Sequence, residues 1–201
     1  MQLSRRLPRF NRKLDALADL LSAVDAKTEY DTQDVYVTER ALIQIQIEWE
    51  HYVRAVILDS ATGVYRNTSG PVASRTHLSV SSREAAAHVL VTSYPNRRYE
   101  PDWYLPAQAI DAAVRLDISN LAQISSELGV TPWPIDDLRH LRNFIAHRSK
   151  KSAISLRGTG IVPGSGGIDI LDTAFGYAPG GLKRYSAWIS FAKGAAGRLV
   201  A

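Results

Sequence analysis

Apolar side chains recur at helical spacing from Tyr36 to Asp59, and this periodicity constrains the fold more than any other feature of the chain. The main face of the predicted helix carries Ala41, Leu42, Ile45, Trp49, Tyr52, Val53 and Val56. Ile43 and Ile47 add apolar surface on the other side. A helix that is apolar on more than one face is usually buried centrally or at an interface. The segment therefore predicts a long helix that is buried centrally or at an interface.

Other segments show the same spacing. The predicted helices are Leu7 to Val24, Arg83 to Ser93, Pro106 to Leu128 with Gly129 as its C-cap, and Asp136 to about Lys150 and Lys151. Apart from the short helix Arg83 to Ser93, these helices and the long one from Tyr36 make four strong helices. They predict an all-α fold, a four-helix up-and-down bundle with a C-terminal appendage. We expect the bundle to occupy residues 1–151. Residues 152–201 would form a glycine-rich linker and a short final helix, Leu182 to about Leu199, and no strand pattern is convincing.

Composition narrows the chemistry. The 201 residues suffice for one good core, and there is no cysteine, which excludes disulfides, thiolate metal sites and a cysteine nucleophile. The five histidines are scattered without a metal-ligand spacing, so we expect neither a metal nor a cofactor. The glycines between 158 and 167 lack the Gly-Lys-Ser/Thr ending of a phosphate loop and predict a linker.

The net charge of +4 is compatible with a polyanionic partner. The basic N-terminal stretch has the charge of a transit peptide, but Asp15, Asp19 and Asp25 follow it within one predicted helix. No apolar run approaches the roughly 20 residues that span a bilayer. We therefore expect a cytoplasmic protein that does not enter the membrane.

The segment Arg142-Asn143-Phe144-Ile145-Ala146-His147 concentrates the residue types of catalysis on the last predicted bundle helix. At 100° per residue, the nearby leucines, Phe144 and Ile145 share one apolar sector. Arg142 and His147 flank the opposite, polar face, about 140° apart around the axis, with Asn143 and the small Ala146 between them. The two side chains thus converge poorly on one phosphate from a single helix. Two copies related by a two-fold axis would form a shared cleft, which predicts a homodimer.

These residue types suit the cleavage of RNA. Histidine titrates near neutrality and can take the 2′-hydroxyl proton or protonate the leaving 5′-oxygen. Arginine can stabilise the charge that develops on the phosphorus centre. DNA lacks the internal 2′ nucleophile. The alternative is that Arg142 and His147 belong to a solvated helix face without chemistry.

The motif resembles the signature of the HEPN superfamily, an arginine and a histidine separated by four to six residues, often with a polar residue directly after the arginine. The stretch from Ala41 to Val53, with Trp49-Glu50-His51-Tyr52, is similar to the second helix of RiboL-PSP-like and related bacterial HEPN proteins. The resemblance covers roughly Leu7 to Lys151. It implies a HEPN-like bundle that dimerises through the motif helices.

The resemblance also implies a metal-independent endoribonuclease, often a toxin or an antiviral-defence component with an antitoxin or defence partner. Carried over by position, Arg142 and His147 would be catalytic, Asn143 would orient them, and Glu50 would be the acidic residue of the second helix, with Glu48 as a weaker candidate. Some members carry a modified tyrosine two residues after the histidine, where this chain has Ser149. Other HEPN domains are silent dimers that bind nucleotides, RNA or proteins, and this alternative stays open.

Further basic residues are candidates for RNA binding. Around the motif they are Arg139, His140, Arg148, Lys150 and Lys151. Basic residues near a helix C-terminus also simply complement the helix dipole. Arg97 and Arg98 lie in a loop with Tyr99, Trp103 and Tyr104, which could stack on bases or pack against the body.

Overall fold

The computed structural model describes residues 3–62, 64–67, 70–73, 80–93, 99–131, 133, 135–164 and 166–201. This part of the chain is predominantly helical, and a short 3-10 helix, Leu3–Arg5, precedes its nine α-helices. The helices are α1 (Arg6–Asp25), α2 (Thr32–Ser60), α3 (Arg83–Ser93), α4 (Pro106–Arg115), α5 (Leu121–Leu128), α6 (Asp136–His147), α7 (Lys150–Arg157), α8 (Ile170–Phe175) and α9 (Arg184–Leu199). The prediction of a helical protein is confirmed.

The two long helices bury the apolar stripes that the sequence predicts. In α1, Phe10, Leu14 and Leu21 are buried. In α2, burial extends beyond one face, to Leu42, Ile45, Trp49, Val53, Val56, Ile57 and Leu58. Each such side chain contributes roughly 1.5–3 kcal/mol when it leaves water. The prediction that α2 is buried on more than one face is confirmed.

Helix α2 begins at Thr32, four residues before the predicted start, because two aspartates cap it. The backbone N–H of Asp34 donates to Asp31 Oδ1 (2.9 Å), and the backbone N–H of Asp31 donates to Asp34 Oδ2 (3.1 Å). This reciprocal arrangement satisfies donors that a helix start leaves unpaired.

The chain divides into two compact units. Unit 1 consists of Met1–Asn11, Trp49–Trp133 and Gly194–Ala201, and unit 2 consists of Arg12–Glu48 and Pro134–Lys193. Each unit therefore combines segments that are distant in sequence. The predicted boundary at residue 151 lies inside unit 2, within α7.

Unit 1 contains a buried carboxylate held by two arginines. Asp59, near the end of α2, is fully buried, and its Oδ2 accepts from Arg6 Nε at 2.5 Å and from Arg83 Nη2 at 3.1 Å. Arg83 Nε also donates to Oδ1. Burial raises the pKa of Asp59, and the positive charge of Arg6 opposes that shift. Nearby in the unit, the Tyr52 hydroxyl donates to the Ala196 carbonyl at 2.8 Å.

Unit 2 joins the C-terminal half of the chain to α1 through ion pairs. Lys193 Nζ lies 2.6 Å from Asp15 Oδ1, and Lys183 Nζ lies 3.0 Å from Asp25 Oδ1. Residues after 151 also supply buried apolar side chains, namely Leu156, Ile170, Leu171, Phe175, Trp188 and Ile189 in unit 2 and Leu199 in unit 1. The predicted final helix is confirmed as α9.

The predicted third helix, Pro106 to Leu128, is wrong as one continuous element, because the chain breaks between α4 and α5. Asp117 has a φ of 47° in the left-handed region, which cannot continue a right-handed helix. Leu116 and Ile118 on either side are buried, so the apolar spacing runs through the break. Gly129 caps α5 as predicted.

The predicted fourth helix is also shorter than expected. Its extension to Lys150 and Lys151 is wrong, since these residues open a separate helix, α7. Arg148 has a φ of 45° and ends α6, and the Ser149 hydroxyl accepts from the Ser152 backbone N–H (3.1 Å) to cap α7. A left-handed residue followed by an N-cap thus replaces one helical turn.

A short antiparallel pair of strands, β1 (Val64–Asn67) and β2 (Gly70–Ala73), lies outside the sequence prediction. Strands of four residues are too short to show a convincing alternation of apolar and polar positions. Gly70, at the start of β2, has a φ of 134°, which favours glycine. Among the helices of the described residues, none is both long and apolar enough to cross a bilayer.

Candidate functional site

Helix α6 presents the motif because its apolar residues fix which face turns inward. Leu138, Leu141 and Ile145 are buried, and Phe144 is half-buried. This matches the apolar sector expected from the helical periodicity. The intervening residues of the motif consequently face outward.

Arg142 and Asn143 lie side by side on the outward face of α6. Arg142 Nη1 donates to Asn143 Oδ1 at 3.1 Å, and both residues are half-buried. No carboxylate pairs with the Arg142 guanidinium within the described part of the chain. The arginine keeps its positive charge, and most of its five N–H donors remain available to a ligand.

His147 is the last residue of α6 and is exposed. Its imidazole has no hydrogen-bond partner among the described residues, and neighbouring Ala146 is exposed as well. Five helical positions separate it from Arg142, which corresponds to about 7.5 Å along the axis and about 140° around it. One copy of α6 therefore brings Arg142 together with Asn143 but not with His147.

Arg139 and His140 belong to a hydrogen-bonded network instead of a free surface. Arg139 Nε donates to Asp136 Oδ1 at 2.7 Å, and this bond lowers the pKa of the Asp136 carboxyl. Arg139 Nη2 lies 2.7 Å from His140 Nε2, and His140 Nδ1 lies 2.9 Å from Ser155 Oγ. His140 Nε2 also lies 3.4 Å from Asp136 Oδ2. The network joins α6 to α7.

Arg148 is likewise engaged. Its Nη2 donates to Glu39 in α2, and its guanidinium lies 5.2 Å from the centre of the Phe144 ring. Glu39 is a residue that the sequence does not single out, because no local pattern links positions 109 residues apart. Lys150 and Lys151, by contrast, are exposed and have no ion pair within the described ranges.

The two glutamates of α2 differ in setting. Glu48 is buried, and Lys13 Nζ donates to both of its carboxylate oxygens, at 2.7 and 2.6 Å, while Gln44 Nε2 donates at 2.9 Å. Glu48 is therefore a buried carboxylate of unit 2 that is paired with a partly exposed lysine. Glu50 is half-buried and belongs to unit 1, whereas the motif helix belongs to unit 2.

The second cluster of candidates is only partly described. Arg97 and Arg98 lie outside the described residues. Tyr99 is 80% exposed, Trp103 is buried and Tyr104 is half-buried. Of these three residues, Tyr99 alone is mostly exposed, so the three do not form a continuous stacking platform.

Among the described residues, no three histidine, aspartate or glutamate side chains lie close enough together to hold a metal ion. His77 lies outside these residues. No protein-family model, curated protein or solved structure matches the chain. The function is therefore argued from the geometry of α6 and its surroundings.

Proposed function

We propose that this protein is a HEPN-type, metal-independent endoribonuclease that works as a homodimer. In this proposal the helical fold is a HEPN-type four-helix bundle in which α6 is the motif helix. Arg142 and His147 act on the scissile phosphate, and Asn143 orients Arg142. Its setting would be the cytoplasm, as a toxin or antiviral-defence component beside an antitoxin or defence partner protein.

One observation supports this proposal: Arg142 lacks the carboxylate partner that the neighbouring arginines Arg139 and Arg148 have. Arg139 pairs with Asp136 and Arg148 pairs with Glu39, whereas Arg142 meets only the uncharged Asn143 within the described chain. An unpaired arginine on an accessible face favours an anionic ligand, because a phosphate would supply the missing counter-charge.

The reaction we infer is transesterification within the RNA. A histidine base removes the 2′-hydroxyl proton, and the 2′-oxygen bonds to the adjacent phosphorus. The bond from phosphorus to the 5′-oxygen breaks, and a protonated histidine donates a proton to that oxygen. The products are a 2′,3′-cyclic phosphate and a 5′-hydroxyl. Arg142 stabilises the extra negative charge on the phosphorus centre.

A dimer supplies the convergence that one helix lacks. Two α6 helices facing each other across a two-fold axis would place His147 of one copy near Arg142 of the other, and two histidines would serve as base and acid. We therefore expect the site to be incomplete in a monomer.

Purified protein incubated with mixed RNAs tests the proposal. We expect Arg142→Ala and His147→Ala to reduce the cleavage rate by about 100-fold or more, since each removes a group that acts in the transition state. EDTA should leave the rate unchanged, and a 2′-deoxy substrate should remain intact. The matched control is Arg139→Ala, which removes a cation already paired with Asp136. Undiminished cleavage by both motif variants, or a requirement for a divalent metal, would overturn the proposal.

The second candidate function is a binding module, a silent dimer that holds RNA, a nucleotide or a protein. The observation in its favour is that no hydrogen bond orients the His147 imidazole within the described residues. A binding module would retain labelled RNA in a filter or gel assay without forming a cyclic phosphate, and Arg142→Ala would weaken that retention.

A further inference from the structure

Arg148 and Ser149 link α6 to α7, and we call this linker the elbow. The backbone of the elbow adopts a conformation that its sequence does not favour. Arg148 has φ 45° and ψ 28°, the left-handed region, and its backbone N–H donates to the Phe144 carbonyl at 2.8 Å. This region favours glycine, and a side chain there is strained. Such strain persists only where the surroundings fix it.

Two contacts of the Arg148 side chain fix the elbow. The guanidinium forms an ion pair with Glu39, whose side chain is only 14% exposed, and it lies over the Phe144 ring one turn earlier in α6. On the other side of the elbow, Ser149 begins α7 with a reciprocal cap. The last turn of α6 is thereby tied to α2 and followed at once by a second capped helix.

His147 directly precedes this fixed point and has no partner of its own among the described residues. The position of its imidazole therefore depends on the backbone of the last α6 turn. We propose that Arg148 and Glu39 form a positioning pair that sets where His147 stands, an inference that rests on the proposed ribonuclease function. Arg148 then acts through His147 and makes no contact with the RNA.

Removing Glu39 distinguishes positioning from RNA binding. If Arg148 bound a phosphate, Glu39 would compete for it, and Glu39→Gln would tighten RNA binding. If Arg148 positions His147, Glu39→Gln loosens the elbow and slows the reaction without changing affinity. The isosteric substitution Glu39→Gln therefore tightens RNA binding in the first case and slows cleavage at unchanged affinity in the second.

The experiment measures kcat, KM and the salt dependence of KM on a fluorescence-quenched pool of mixed-sequence oligoribonucleotides. The variants are Glu39→Gln, Arg148→Gly and their combination. Arg148→Gly suits the left-handed backbone, so the chain can keep its fold while the guanidinium is lost. Lys151→Ala, which removes an exposed cation, is the reference for a phosphate contact.

We expect both single variants to lower kcat by about 10-fold or more at unchanged KM, because a small misplacement of a catalytic group is costly. The double variant should be no slower than the worse single variant, since both disrupt one pair. Lys151→Ala should instead raise KM and reduce the salt slope by about one. Arg148→Gly behaving like Lys151→Ala, with tighter binding by Glu39→Gln, would overturn the inference.

Amide hydrogen exchange provides a readout that does not depend on activity. We expect Glu39→Gln to speed exchange of the Arg148 amide, which donates to Phe144, while amides in the middle of α2 keep their protection. Absence of cleavage by the wild-type protein would refute the proposed function alone. Unchanged exchange at Arg148 in Glu39→Gln would refute the positioning pair, whatever the activity.

Discussion

The Asp59 cluster and the motif face of α6 use arginine in different ways. In unit 1, Arg6 and Arg83 both bind one buried carboxylate. In unit 2, Arg142 contacts the neutral Asn143 and has no carboxylate partner within the described residues. An arginine with its counter-charge built in stabilises the fold, whereas an arginine without one is stabilised further by an anionic ligand. The difference separates cations that the fold neutralises from cations that are available to an anionic ligand.

The largest effect on stability is expected at the Asp59 cluster. Asp59→Asn replaces one of the two carboxylate oxygens, which accept from Arg6 and Arg83, by an amide NH₂ that faces the N–H donors of these arginines. We expect the free energy of unfolding to fall by about 3 kcal/mol, measured by urea denaturation. A loss below about 0.5 kcal/mol would remove the distinction between the two kinds of arginine.

An intermediate and pH-dependent effect is expected for Glu100→Gln. Arg54 donates to both Glu100 oxygens at 2.6 Å, and these bonds hold the pKa of Glu100 below its ordinary value. The pair therefore stabilises the fold above the ordinary carboxyl pKa, and this contribution is lost as the pH falls through the lowered pKa. We expect a loss of roughly 1 kcal/mol near neutrality that disappears as the pH falls through the lowered pKa of Glu100. A deficit independent of pH would point to packing of the side chain instead of its charge.

The smallest effect on stability is expected at the proposed site itself. Arg142→Ala removes one hydrogen bond, to Asn143, from a half-buried position. We expect the unfolding free energy to change by about 0.5 kcal/mol or less, although the rate of RNA cleavage should fall by about 100-fold or more. Thermal unfolding of the cleavage-tested preparation checks this. A large destabilisation would place Arg142 with the structural arginines of unit 1.

The sequence predicts the helices with strong periodicity well, and it fails where single residues decide the geometry. α1 and α2 follow from apolar spacing, because a helix buries the face on which the apolar residues lie. α3 follows from the capping pattern at its start. The helix breaks at Asp117 and Arg148 do not follow from the sequence, because neither residue is a glycine. Buried apolar residues also lie on both sides of Asp117. Local propensity gives no warning of a left-handed residue that tertiary contacts hold in place.

The candidate site shows the same limit. The periodicity of α6 correctly assigns its buried residues and the outward position of Arg142, Asn143 and His147. Periodicity does not distinguish these residues from Arg148, which by sequence is a candidate for RNA binding. That separation depends on Glu39, a residue in another helix, and only the folded chain brings the two together.

The interleaved composition of unit 1 has a consequence for biosynthesis. Gly194–Ala201 completes this unit, where Ala196 accepts the Tyr52 hydroxyl and Leu199 is buried. On a ribosome, residues up to Trp133 would emerge well before this closing segment is translated. Unit 1 without residues 194–201 would expose apolar surface, and such surface binds chaperones or other unfolded chains. Unit 1 should therefore reach its full protection only after residues 194–201 have left the exit tunnel.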